Sequence, residues 1–130
     1  ATVTTVNDIP DALGSLGDID ALYVPTDNML VSGIDALMQF AETNQLLVVT
    51  GDSGPVEESR AVATLGLDYE ERGYQTGQMA IKVLTEGADP ATMAVEAQTE
   101  FNLIVNKSGA EALGVELPQA VLDKAETVIE

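Results

Sequence analysis

The chain has 130 residues, no His and no Cys, and 22 acidic side chains against 5 basic ones, for a formal net charge of −17. The missing residue types remove imidazole acid–base catalysis, His-activated nucleophiles, thiolate or imidazole metal centres and disulfides, and no metal or cofactor is expected. All five bases, Arg60, Arg72, Lys82, Lys107 and Lys124, lie at or beyond residue 60, the first 59 residues carrying none, and without clustered Lys and Arg the composition argues against nucleic acid and anionic membrane surfaces as partners.

The chain is long enough for one domain or part of one. Its 45% hydrophobic residues recur periodically, which favours a folded core over an acidic disordered segment. Thr2-Val-Thr-Thr-Val6 is β-branched and reads as an opening strand rather than a leader, so any targeting segment is expected to lie outside this chain. Asn7 or Asp8 can cap a short helix with Pro10 near its first turn, and Gly17 ends it. A strand at Ala21–Val24 then stops at Pro25-Thr-Asp-Asn28. From there Leu30, Ile34, Leu37, Met38 and Ala41 make one apolar stripe, which predicts a single helix to about Thr43.

Gln45-Leu-Leu-Val-Val-Thr50 reads as a buried strand broken by Gly51-Asp-Ser-Gly-Pro55. Val56–Thr64 has a weak helical pattern, and Leu65–Tyr69 reads as extended with a turn at Gly66. A helix is predicted from Glu70 to Glu86 with Gly87 as its C-terminal cap. Gly73 and Gly77 are costly inside it, so close packing is expected there. Met93–Ala97 and Phe101–Val105 are strand candidates, Lys107–Leu113 is helical, and a last helix from Pro118 is expected to bury Val121, Leu122, Ala125 and Val128. Strands alternating with helices imply an α/β fold, a parallel sheet with flanking helices.

In such sheets ligands bind beyond the carboxyl ends of the strands. Thr26, Asp27 and Asn28 offer a hydroxyl, a carboxylate and an amide at one strand–helix junction, and Gly51, Asp52 and Ser53 stand at the next. An α-amino acid carries an anionic and a cationic group that such loops can meet, although one of the first three residues can equally serve only as a helix cap. The Gly-rich loop lacks the Gly-Lys-Ser/Thr ending of a phosphate loop.

Ala21-Leu-Tyr-Val-Pro-Thr-Asp-Asn28, the stretch Ala63-Thr-Leu-Gly-Leu-Asp-Tyr-Glu-Glu-Arg-Gly-Tyr-Gln-Thr-Gly77, Phe101-Asn-Leu-Ile-Val-Asn106 and Ala112-Leu-Gly114 together resemble the substrate-binding proteins of ABC importers. The resemblance is to the subgroup associated with aromatic amino acids such as tryptophan, in the type I periplasmic-binding-protein fold. It implies a two-lobed clamshell of which this chain looks like the carboxyl-terminal portion. Residues 1–65 would form the second-lobe core, 66–92 the hinge crossing and a helix packed on the first lobe, and 93–130 the last strands and helices. It also implies extracytoplasmic work with an ABC permease, a small-molecule ligand that is an amino acid, binding without catalysis, and dimerisation or strand exchange of a lone portion. Asp68 and Tyr69 at the presumed hinge become candidate cleft contacts, with Tyr69 able to stack on an aromatic ring. Arg60 stands where the family usually has Gly, and a surface position is favoured for it over one facing the ligand. Two other readings remain open: an effector-binding domain of a transcription regulator with the related fold, and a phospho-accepting enzyme using Asp27 or Asp52 with Lys107.

Overall fold

A computed structural model describes residues 2–130. They fall into two compact units: one runs to Gly66 and resumes over Asn102–Glu130, and the other is Leu67–Phe101.

The first unit is built on a five-stranded sheet in the order β1-β2-β3-β4-β5. Its strands are β1 (Ala21–Val24), β2 (Leu47–Thr50), β3 (Ala63–Leu67), β4 (Phe101–Asn106) and β5 (Thr127–Ile129). The pairings β1–β2, β2–β3 and β4–β5 are parallel, with Tyr23 beside Val49, Val49 beside Ala63, and Val105 beside Val128. The helices are α1 (Ile9–Gly14), α2 (Asn28–Ser32), α3 (Ile34–Thr43), α4 (Gly54–Glu58), α6 (Lys107–Ala112) and α7 (Gln119–Leu122). Ile9 and Leu13 of α1 and Leu37, Met38 and Ala41 of α3 pack with Val24 and Val48 of the sheet in the main core. A smaller cluster joins Val62 to Ala110 and Leu113.

Buried Asn106 closes the far side of this core. Its Nδ2 donates to the carbonyls of Val56 and Ser59 at 3.0 and 3.2 Å, and its Oδ1 accepts from the Gly109 amide at 2.8 Å and the Ser108 hydroxyl at 2.7 Å. One amide thus ties the end of β4 to the end of α4 and caps α6, leaving none of its buried polar atoms unpaired.

Several predicted elements differ. Residues Thr2–Val6 form no strand, because the Asp8 carboxylate accepts from the Thr4 and Thr5 amides at 3.1 and 2.8 Å and from the Thr4 hydroxyl at 2.7 Å, folding the segment into a turn. Those bonds favour the ionised form and hold the Asp8 pKa below its ordinary value, the Thr4 hydroxyl contributing most. The single helix predicted to Thr43 breaks at Gly33 into α2 and α3. A Cβ at Gly33 would lie 2.3 Å from Ile9 Cδ1, so the break sits where α1 passes closest. The helix predicted over Val56–Thr64 is only α4, and Gly66 lies inside β3 with no turn. At the other end, Val128 belongs to β5 and not to a long terminal helix, its β-branched neighbours pairing along β4.

The second unit consists of α5 (Tyr69–Glu86) and the irregular segment after it. Asp68 Oδ1 accepts from the Glu71 amide at 2.9 Å to start the helix, and Gly87, at φ +73°, ends it in the left-handed conformation. Glu96 returns to α5, taking a bond from Gln75 Nε2 at 3.1 Å and an ion pair from Lys82 at 3.6 Å. No residue of α5 is buried, and Leu84 and Val95 are 81% and 99% exposed. The close packing expected at Gly73 and Gly77 is absent, since a Cβ at either would meet nothing within 4 Å among the described residues. Met93–Ala97 is likewise not a strand. An isolated strand has no ladder to join, which leaves its β-propensity unexpressed.

Candidate functional site

The loops after β1 and β2 leave the same carboxyl edge of the sheet, and the structure joins them. Thr26 Oγ1 donates to the Gly51 carbonyl at 2.9 Å, across 25 residues of chain. Asp27 Oδ1 accepts from the Met29 and Leu30 amides at 2.9 and 3.0 Å, capping α2. Within the second loop, Thr50 Oγ1 donates to the Asp52 carbonyl at 2.6 Å, and Asp52 Oδ1 accepts from the Gly54 amide at 3.2 Å. Six of the expected residues, Thr26, Asp27, Asn28, Gly51, Asp52 and Ser53, are therefore brought to one edge. Thr26 and Asp27 spend hydrogen bonds on holding that edge in shape, and Asn28 is exposed beside them.

Asp68 and Tyr69 belong to the second unit, where Asp68 caps α5 and Tyr69, its first residue, is 57% exposed. Arg60 is a surface residue as favoured, paired through Nε to Glu42 at 3.0 Å. Lys107 pairs with Glu130 at 2.6 Å.

Two residues at the edge had not been singled out. Tyr23 projects from the sheet face that also carries Leu65, and both are exposed on either side of Gly51. A Cβ at Gly51 would lie 2.9 Å from the Tyr23 hydroxyl and 3.2 Å from the Thr26 amide, so the glycine admits a close approach that any side chain would block. Thr64, beside Thr50 in the next strand, is fully buried, and its Oγ1 has no hydrogen-bond partner among the described residues. The signal for Tyr23 was its alternation with buried Val24. For Thr64 it was a hydroxyl in register with Thr50.

A hollow of about 580 Å³ in the first unit lies elsewhere. Its lining of Asp35, Gln39, Glu42, Glu58 and Arg60 leads into the amino end of β3. Among the described residues no three His, Cys, Asp or Glu are gathered to hold a metal ion. The edge offers hydroxyls, amides, carboxylates and an aromatic ring, which is equipment for hydrogen bonding a polar ligand and covering its apolar part.

Residues 1–129 match the family model described as ABC transporter substrate binding protein. A tyrosine-binding protein of Clostridioides difficile is 36% identical over 115 residues, 88% of this chain and 33% of that protein. Among solved structures, one described as an ABC domain in complex with L-Trp from Streptococcus pneumonia superposes with a TM-score of 0.82 at 29% identity, over 98% of this chain and 43% of the other. A ligand-free, open substrate-binding protein with adhesive properties from Clostridium difficile gives 0.70 at 38% identity, over 98% and 42%. The chain spans about a third of the length of the curated relatives it matches, 33% and 35%.

Proposed function

The chain belongs to the ABC transporter substrate-binding protein family, and from that premise we propose that it contributes one side of a cleft that binds an aromatic amino acid and hands it to an ABC permease. The observation that carries this reading is the joint between the two strand-end loops, Thr26 Oγ1 on the Gly51 carbonyl, with the exposed Tyr23 ring beside it. The tyrosine-binding relative and the neighbour holding L-Trp support the ligand class.

The binding is chemistry-free. Polar loop groups take the ammonium and carboxylate, an apolar or aromatic wall formed by Tyr23 and Leu65 takes the ring, and closure is driven by tighter contacts in the closed state. In this reading the unit to Gly66 with Asn102–Glu130 belongs to one lobe and Leu67–Phe101 reaches toward the other, and the division of the chain at those points supports it. The unburied α5, with Tyr74, Ile81 and Leu84 exposed, then awaits a partner surface. The protein works outside the cytoplasm.

Calorimetric titration with L-tryptophan, L-tyrosine and L-phenylalanine, against L-lysine and L-glutamate, tests the ligand class. Binding is expected for at least one aromatic amino acid and for neither charged one. Heat from none of the aromatic three sinks the reading.

A further inference from the structure

All the sulfur of this chain is in thioethers, since it has four Met and no Cys. Met38 is shut into the sheet core at 5% exposure, whereas Met79 and Met93 are half-buried in the second unit. Met79 and Val83 stand one turn apart on the same side of α5, and Pro90, Met93 and Val95 come from the segment that returns past it. Together they line a hollow of about 490 Å³. Glu96 ties the same segment to α5, through Gln75 Nε2 at 3.1 Å and Lys82 at 3.6 Å. The Thr76 hydroxyl, on the same lining, already donates to the Arg72 carbonyl at 2.8 Å. An oxygen placed on either sulfur would find that hydroxyl committed and Lys82 paired.

We propose that Met79 and Met93 are a modification site for hydrogen peroxide, and that their oxidation unfastens α5 from the segment behind it. At each residue a sulfur lone pair attacks one peroxide oxygen and the O–O bond breaks. That oxygen stays on sulfur as a sulfoxide, its proton passes to the departing hydroxide, and water leaves; the sulfur loses two electrons and the peroxide gains them. A thioether is flexible and apolar and fills an irregular gap, whereas a sulfoxide is polar and seeks hydrogen-bond donors. The change falls where it weighs most, because α5 buries no residue and Met79 and Val83 are its half-buried apolar side chains. The sheet core is spared, with Met38 closed off inside it. This inference is independent of the ligand reading, which concerns the sheet edge.

The test is brief hydrogen peroxide treatment of the whole ¹⁵N-labelled chain, with sulfoxides located by peptide mass spectrometry and α5 followed by amide hydrogen exchange. Met79 and Met93 are expected to oxidise before Met38, and protection at α5 amides such as Lys82 should fall by about tenfold as they do, in keeping with the loss of partly buried apolar contacts. The double variant Met79→Leu, Met93→Leu keeps volume and apolarity. In it, peroxide should leave α5 protection unchanged even as Met29, half-buried on α2, is oxidised. Methionine sulfoxide reductases for both epimers should restore protection in the oxidised wild-type chain, a check that needs no substitution. The proposal is overturned if Met79 and Met93 oxidise no faster than Met38, if the chain carrying both sulfoxides keeps its α5 protection, or if the leucine variant loses protection to peroxide as the wild type does.

Discussion

The two units of this chain hold themselves together by different means. The sheet unit buries Ile9, Leu37, Met38 and Val48 in a shared core, while α5 buries no residue and stands on its caps, its own backbone bonds and the Glu96 return. The half-buried Met79 and Val83 of α5 meet the irregular segment 90–96 and no core, and most helical stability in proteins comes from packing an amphipathic face. The lesson is that one polypeptide can carry a self-sufficient half and a half whose apolar side chains are laid out for something not in contact with them.

The contrast breaks most sharply at leucine. Leu37→Ala in the core is expected to cost about 3 kcal/mol, the middle of the range for buried leucine, whereas Leu84→Ala, at a residue 81% exposed, should stay within about 0.5 kcal/mol. Urea unfolding followed by circular dichroism measures both, and equal costs would mean that α5 packs in solution. The two capping aspartates sharpen the comparison at a smaller scale. Asp27→Ala removes the bonds to Met29 and Leu30 and should lower stability of the sheet unit by about 1 kcal/mol. Asp68→Ala should reduce helix content while leaving the sheet unit's midpoint in place. Coincident loss of both signals in either variant would join what is here separate.

The smallest effect is set by pH and concerns the sheet unit alone. Asp8 is held below its ordinary value by Thr4 and Thr5, so the unfolded chain takes up the proton first as acid is added. The turn's contribution is complete above the ordinary aspartate range and disappears as pH falls through the depressed folded-state value. Amide resonances of Thr4 and Thr5 should report that loss at a pH lower than an unperturbed aspartate would give, while α5 amides such as Thr76 and Lys82 do not follow it. A midpoint at or above the ordinary value would contradict the carboxylate-held turn.

Sequence patterning located β1, β2, α5 and the helix after β4 because each has a strong local signal, such as the run Leu46–Val49 or the Gly87 cap. It failed where the deciding partner is distant. The break at Gly33 answers to Ile9, and the turn at Thr4 and Thr5 answers to one carboxylate that β-propensity cannot see. The last strand was hidden for the same reason, since Thr127–Ile129 is too short to announce itself without β4 beside it. At the site, the residue types at the two loops were legible from their place after strands. The tie between Thr26 and Gly51, the reach of Tyr23 over the loop and the unpaired state of Thr64 were not, because each depends on how neighbouring strands are registered.

Asn106 carries a consequence for what this chain can become. In a sequence with 22 acidic residues, Asp is a cheap exchange for Asn at most surface positions. Position 106 forbids it. Aspartate there would aim a carboxylate oxygen at the Val56 and Ser59 carbonyls that the amide now serves, setting acceptor against acceptor in a buried place. However acidic the surface grows, the amide at 106 has to stay an amide.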